Sequence, residues 1–205
     1  MNLKIQKKFE QDKSSEIIID NQCWGALTDK ALLPLFPIPF EGEIESAATE
    51  ELITMLQNRA REQLLRYLAD SEHSSWQCKE YLKRKSYHPA IINPLLQDFA
   101  ENKYLDDARY VRILIGSLID RQKSRTYIIG KLRESRLPAS LWEEVLQELY
   151  NPEDSLEGLK EQVLKLRLRY SELDEYKQKE KVLASLFRKG FDLDSISRAW
   201  KATKS

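Results

Sequence analysis

Three leucines, Leu82, Leu132 and Leu186, stand at the same place in a pattern that recurs along the chain. Five residues after them come Tyr87, Leu137 and Phe191, and ten residues after them Ile92, Trp142 and Ile196. Thirteen and fourteen residues on stand Leu95-Leu96, Val145-Leu146 and Ala199-Trp200. Columns that stay apolar or small in three copies, 50 and 54 residues apart, mark internal repeats. Upstream, Ala60, Tyr110 and Leu164 correspond, as do Leu64, Leu114 and Leu168. Each copy therefore holds three short helices. A helix this short that buries a single stripe is not stable alone, so the three must pack together.

In the first copy the apolar spacing gives one helix with Ala60, Leu64, Leu65 and Leu68 on a face, and a second with Trp76, Cys78, Tyr81 and Leu82. A third carries Ile91, Ile92, Leu95, Leu96 and Phe99. Four residues after the aligned leucine stand Ser86, Arg136 and Gly190. Glycine suits the left-handed residue that ends a helix, whereas Ser86 and Arg136 predict strain in the first two turns. Pro89 and Pro138 fit the first turn of the helix that comes next, and Asp106 fits an N-terminal cap. Trp142 and Trp200 fall in apolar columns and are expected in the core. Trp24 and Trp76 are less placed by pattern, and the core is the expectation for them as well.

Residues 1 to about 40 obey a different rule. Leu3 to Gln6 alternates, Glu16 to Asp20 is a β-branched run, and the polar stretch from Gln11 to Ser15 between them reads as a hairpin turn. Gln22 to Ala26 reads as a third strand. Thr28-Asp29 opens a short helix through Leu32 or Leu33, and Pro34, Pro37 and Pro39 prevent its continuation. The acidic stretch Glu41 to Glu51 is expected to open the next helix. The resulting fold class is mainly α: tandem three-helix repeats with a small N-terminal β-rich leader. The division is 1–48 for leader and linker, then 49–103, 104–152 and 153–205 for the repeats. Stacking three such units of helices about 10–12 Å across predicts a rod rather than a ball.

Composition narrows the function. Hydrophobic residues make up 41% of the chain, too many for a disordered one. Lys+Arg and Asp+Glu are equal at 33 each, so any polyanion contact must rest on a local patch. Cys23 and Cys78 lie far apart with no ligand spacing and read as reduced packing thiols. His73 and His88 lie in connecting turns with no nucleophile pattern nearby. There is no glycine-rich phosphate loop and no paired-cysteine site. The expectation is a protein without catalytic residues, cofactor or metal. No apolar run reaches signal-peptide or membrane-span length, so a cytoplasmic location without a membrane partner is expected.

The stretch Tyr104-Leu105-Asp106-Asp107-Ala108-Arg109-Tyr110 resembles the most recognisable segment of the RecX family, bacterial regulators of the RecA recombinase. Ala60-Arg61-Glu62-Gln63-Leu64-Leu65 and Glu72-His73-Ser74 resemble the opening of the first family unit. Lys83-Arg84-Lys85-Ser86-Tyr87 is similar to its basic helix end and aromatic, with Ser86 where the family has glycine. Lys4 to Lys8, Ile17 to Asp20, and Leu32 through Gly42 resemble the β-rich leader of some members. The resemblance implies an elongated, curved protein lodged in the groove of the RecA–DNA filament. Such a protein bridges neighbouring protomers, hinders strand exchange and ATP hydrolysis, and limits RecA-stimulated repressor cleavage. The implied partner is the RecA filament, with single- or double-stranded DNA as a further contact and a monomer as the expected state. The alternative is a helical repeat protein that grips nucleic acid directly, since three-helix units resemble helix-turn-helix modules.

The candidate partner contacts lie in the middle repeat. Arg109 and Arg112 are three apart and share a helix face, Arg121, Lys123 and Arg125 come after that helix, and Lys131, Arg133 and Arg136 end the next. Guanidinium forks and ammonium charges at these places suit phosphate or carboxylate partners. The competing reading is that they serve solubility, as surface Lys and Arg commonly do. Two other basic groups read as structural. Lys83-Arg84-Lys85 sits at a helix C-terminus, where positive charge favours the dipole. Lys160, Lys165, Arg167 and Arg169 are offset by Glu157, Glu161 and Glu172 and read as a salt-bridged face.

Overall fold

The computed structural model describes residues 1–203. Its elements run β1 (Asn2–Gln6), β2 (Ser14–Ile19), β3 (Gln22–Thr28), α1 (Asp29–Leu32), β4 (Phe40–Glu43), α2 (Ser46–Asp70), α3 (Ser75–Arg84) and α4 (Pro89–Glu101). Then come α5 (Asp107–Asp120), α6 (Arg125–Glu134), a 3-10 turn (Ala139–Leu141), α7 (Glu143–Leu149), α8 (Pro152–Arg169), α9 (Glu175–Arg188) and α10 (Leu193–Ala202). The chain divides into two compact units, Met1–Asp106 and Asp107 onward.

In the first unit the strands form an antiparallel sheet in the order β3-β2-β1-β4. Alternation puts Leu3 and Ile5 of β1 opposite Ile19 and Ile17 of β2, and all four are buried. β4 occupies part of the acidic stretch that was expected to open a helix. It pairs with β1, so that Ile5 faces Phe40, while the outer carboxylate of Glu41 meets Lys4 at 3.1 Å. Charge on an exposed edge strand discourages pairing with another chain, which is why acidic residues do not disqualify it. Helix α2 then opens at Ser46. Leu52 and Leu56 from its first half and Ala60 and Leu64 from its second lie in one cluster with the sheet, α3 and α4.

The close fit of β3 on the first repeat depends on Gly25. Its φ is +139°, and a Cβ there would stand 2.9 Å from the Tyr87 ring and 3.0 Å from Leu56. Beside it the Trp24 ring stacks on His88 at 4.4 Å, and the His88 amide donates to the Trp24 carbonyl. His88 Nδ1 in turn accepts from the Ala90 amide and caps α4, with Pro89 at its first position as expected.

The second unit holds two three-helix groups, each with its own apolar cluster: one around Ile115, Ile128 and Leu132, the other around Val163, Val182 and Leu186. In all three repeats the aligned leucine is fully buried. Truncation of such a side chain to alanine costs on the order of 2–5 kcal/mol.

The five-residue spacing after that leucine has a local cause. Ser86, Arg136 and Gly190 have φ of 64°, 56° and 85°, so each is a left-handed residue ending a helix. The Ser86 amide donates back to Lys83 and the Tyr87 amide to Leu82, which is the Schellman pattern. Gly190 to Phe187 and Phe191 to Leu186 repeat both bonds, and Arg136 to Arg133 repeats the first. That motif brings the residue after the left-handed one onto the residue three places inside the helix end. Tyr87, Leu137 and Phe191 are buried accordingly.

Four details differ from the expectations. Leu164 and Leu168 are 48% and 77% exposed, and the buried positions of α8 are Leu159, Val163 and Leu166. The extra residues of the third repeat lie downstream of these positions, since α9 starts eleven residues before Leu186 while α6 starts seven before Leu132. An alignment anchored on Leu186 therefore slips when carried back into α8. Leu65 is exposed, because on α2 Leu64 and Ala60 take the inward face. Trp76 is 39% exposed rather than core, since Cys78 and Leu82 supply the inward stripe of α3. Pro138 precedes the 3-10 turn instead of occupying the first position of a helix.

Two substitutions test the turns. Arg136→Gly removes the Cβ penalty of a left-handed residue and should stabilise the protein by about 0.5–1 kcal/mol in urea denaturation monitored by circular dichroism. Gly190→Ala should destabilise by at least about 1 kcal/mol, because the new Cβ is strained at this φ and meets Ser124 Oγ at 2.8 Å. Combined with Ser124→Ala, which clears that clash, the two costs should sum to less than their separate values.

Candidate functional site

The turn from α5 to α6 is where the structure gathers the candidate charges. Gln122 is left-handed, with φ 51°, and the amides of Gln122 and Lys123 donate to Ile119 and Leu118, closing α5 with the same helix-ending motif. Ser124 begins α6 as its cap: its hydroxyl oxygen accepts from the Tyr127 amide at 3.2 Å and its proton goes to the Lys189 carbonyl at 2.8 Å. From α8, the Gln162 side chain donates to the Gln122 carbonyl at 3.0 Å, while the Gln122 side chain donates to Glu161 at 2.9 Å. The turn of the second repeat is thus pinned by the third repeat on two sides.

On this pinned backbone Arg121 and Arg125 are exposed, and neither forms an ion pair among the described residues. The Lys123 ammonium lies 5.3 Å from the Tyr127 ring centre and that of Lys131 lies 5.8 Å from it, so a 38% exposed phenol ring stands between two cations. Spacing of four residues on α6 and its approach produces this arrangement. Lys131 also meets Glu134 at 2.6 Å, which holds its pKa above the usual lysine value. Lys189 joins from the third repeat. Desolvation, reinforced by repulsion from Lys123 and Arg169, pushes its pKa down, and its ammonium donates to Gln162 at 3.0 Å.

The remaining predicted residues stand elsewhere. Arg109 and Arg112 are on the first turns of α5, about 18 Å and about 14 Å along the helix axis from Arg121 at 1.5 Å per residue. Arg112 is engaged within the unit: its guanidinium donates to both carboxylate oxygens of Glu148 on α7, at 3.3 and 3.0 Å. Arg133 is exposed in the last turn of α6, roughly a helix length from the turn. Of the eight candidates, then, Arg121, Lys123 and Arg125 form one group with Lys131 at its margin, and Arg109, Arg112, Arg133 and Arg136, the last at the left-handed position beyond α6, lie outside it.

Sequence reasoning missed Tyr127, Lys189 and Arg169. The Lys123-Tyr127-Lys131 spacing was available as a signal, whereas the approach of Lys189 and Arg169 is tertiary. The salt-bridged face expected on α8 is only partly that. Lys160 pairs with Glu157 at 2.5 Å, but Arg167 lies over the Trp200 ring at 4.6 Å and donates to the Thr203 carbonyl.

Arg125 also borders a cleft of about 260 Å³ shared by the second and third repeats. Arg198 faces the same cleft, but so do Glu153 and Asp192, so its charges balance. Asp192 is already committed to the Ser195 amide as the cap of α10, which lowers its pKa. Lys123 borders a second cleft, of about 120 Å³, together with Asp120 and Asp154. Among the described residues no cluster of His, Cys, Asp or Glu is arranged to hold a metal ion, and no helix is long and apolar enough to cross a membrane.

Comparison with known proteins bears on the whole arrangement. A family model described as the first three-helix domain of RecX matches residues 60–99, and one described as the third matches residues 153–200. The chain is 24% identical over 206 residues to the regulatory protein RecX of Listeria welshimeri, covering 96% of this chain and 74% of that one. It is 28% identical over 88 residues to that of Halorhodospira halophila, covering 43% and 55%. The matched stretch spans about half the length of the Halorhodospira relative and, at 50%, of a Geobacillus one. A crystal structure of a regulatory protein RecX shares the fold with a TM-score of 0.65 at 22% identity, covering 98% of this chain and 99% of that one. RecX from Lactobacillus salivarius shares it with a TM-score of 0.62 at 20% identity, covering 71% and 95%. Two of its three-helix units are matched by RecX domain models and relatives of that name align along nearly its whole length, so the chain is similar in sequence and fold to the RecX family of regulatory proteins.

Proposed function

We propose that this protein binds the RecA–DNA filament and negatively modulates RecA recombinase, ATPase and coprotease activity, with no chemistry of its own. Within that reading residues 1–48 are the leader and linker, and 49–103, 104–152 and 153–205 are the three repeats. The observation that carries it, beyond the likeness to RecX proteins, is the α5–α6 turn: Arg121, Lys123 and Arg125, without carboxylate partners among the described residues, on a backbone held from the third repeat. In a chain of zero net charge, general attraction to polyanions is weak, and a rigid local group of cations must supply it. Pinning the turn in advance lowers the ordering cost of binding. Guanidinium groups there suit phosphate oxygens or acidic side chains inside a filament groove, where partial desolvation strengthens charged hydrogen bonds.

Arg112 is a poor probe of this reading, because reversing it sets two carboxylates against each other on α5 and α7. The informative variant is Arg121→Glu, Lys123→Glu and Arg125→Glu together. Its melting curve should stay close to wild type, since none of the three side chains is ion-paired among the described residues. Inhibition of RecA ATP hydrolysis on single-stranded DNA should need at least about tenfold more of the variant, because losing even one charge-assisted hydrogen bond costs roughly 1.5–3 kcal/mol. Wild-type inhibition should weaken with added salt and the variant's should weaken less. Equal inhibition by both proteins at both salt concentrations would falsify the electrostatic account.

A further inference from the structure

Lys189, at the end of α9, is held differently from Lys131 and Lys160. Those two ammonium groups are met by carboxylates, Glu134 at 2.6 Å and Glu157 at 2.5 Å. Lys189 forms no ion pair among the described residues. Its backbone is fixed, the amide donating to the Leu186 carbonyl and the carbonyl accepting from the Ser124 hydroxyl at 2.8 Å. Its exposed side chain crosses to α8, where the ammonium donates to Gln162 Oε1 at 3.0 Å. That acceptor is a neutral amide, itself anchored by donating to the Gln122 carbonyl at 3.0 Å. On α8, Gln162, Lys165 and Arg169 are three and four residues apart and share a face, so the amine is led toward further cations. Glu161, the carboxylate beside Gln162, accepts from the Gln122 side chain at 2.9 Å instead. Desolvation, reinforced by repulsion from Lys123 and Arg169, disfavours the charged form of this one amine.

We infer that Lys189 is a modification site, acylated directly by acyl phosphates that the cluster of Lys123, Arg169 and Lys189 recruits. Cationic neighbours activate a lysine by releasing its nitrogen lone pair for attack. The same neighbours attract a phosphate dianion and bring its acyl carbon beside the amine, which an uncharged acyl donor does not gain. Nζ attacks the acyl carbon, the N–C bond forms and the acyl C–O bond breaks. Inorganic phosphate leaves with that electron pair and takes the proton that the nitrogen loses. The acylated nitrogen keeps one N–H, enough to donate to Gln162, while the positive charge is gone. Acylation thus subtracts a cation from the edge of the α5–α6 surface and leaves its backbone pinned. This regulatory consequence rests on the filament reading above, whereas the acylation itself does not.

The test incubates the full chain with acetyl phosphate and, in parallel, with an uncharged acetyl thioester, and follows each lysine by peptide mass spectrometry. Lys189 should acetylate faster than Lys131 and Lys160 with both reagents. Its lead should be larger with acetyl phosphate, and added inorganic phosphate should shrink that excess. Arg169→Gln should slow Lys189 about two- to fivefold, the scale of one screened like charge, and leave Lys131 and Lys160 unchanged. Lys189→Gln imitates the uncharged product. It should melt with wild type and need about two- to fivefold more protein to inhibit RecA ATP hydrolysis at low salt, the same single-charge scale. Acetylation of Lys189 no faster than of the two paired lysines, an equal lead with both reagents, or a rate unmoved by Arg169→Gln would each overturn the site. Full inhibition by Lys189→Gln, alongside lost inhibition in the triple glutamate variant of the turn, would overturn the regulatory role while the filament reading stands.

Discussion

A reversal made at a single left-handed residue sets the geometry of every helical repeat in this protein. The second helix of a repeat ends, the chain turns back at Ser86, Arg136 or Gly190, and the next side chain drops onto the leucine three places inside the helix end. Without that fold-back, the third helix would start away from the first two, and no short helix here buries enough surface to hold itself. The interaction is local in sequence and is satisfied by backbone amides, so it tolerates different residues. Serine and arginine occupy the place in two repeats despite the cost of a Cβ in this conformation.

That locality explains what was legible in the sequence. The spacing of five from Leu82 and Leu186 is the two ends of one hydrogen-bonded motif, and the left-handed Arg136 keeps the same spacing from Leu132. The column further along, Ile92, Trp142 and Ile196, was legible because the spacing from the aligned leucine stays at ten residues, and all three are buried. Legibility failed where length changed. An additional turn at the start of α9 put Leu164 and Leu168 out of phase, and only the inward set Leu159, Val163 and Leu166 shows the true register. It failed also where polarity misled. Phe40–Glu43 reads as acidic and helix-opening, yet an edge strand accepts such residues because one side faces water.

The candidate site divides along the same line. Arg121, Lys123 and Arg125 were visible because they are neighbours in the chain, as was their position after a helix. The grip of Ser124 on the Lys189 carbonyl and of Gln162 on Gln122 was not, since it joins residues 65 and 40 positions apart. Nor do basic residues in a sequence reveal which of them are already spent. Arg112 and Lys131 answer carboxylates of their own repeat, and Arg167 covers a tryptophan. Zero net charge conceals this sorting, in which some cations hold the fold and a few remain for others.

Gly25 has a consequence for how such a chain can change over time. A helical repeat is ordinarily a unit that duplication and exchange can move intact. Here the leader sheet touches the first repeat where a missing Cβ lets β3 lie against Tyr87 and Leu56. Tyr87 is also the residue that the left-handed reversal folds inward, so one ring serves both as the closing piece of a repeat and as the seat of a sheet. The first repeat therefore cannot be swapped for a copy of the second or third without stranding the leader. Ancestry would be expected to pass these two parts on as a single heritable block, while the later repeats remain free to differ in length, as α6 and α9 do.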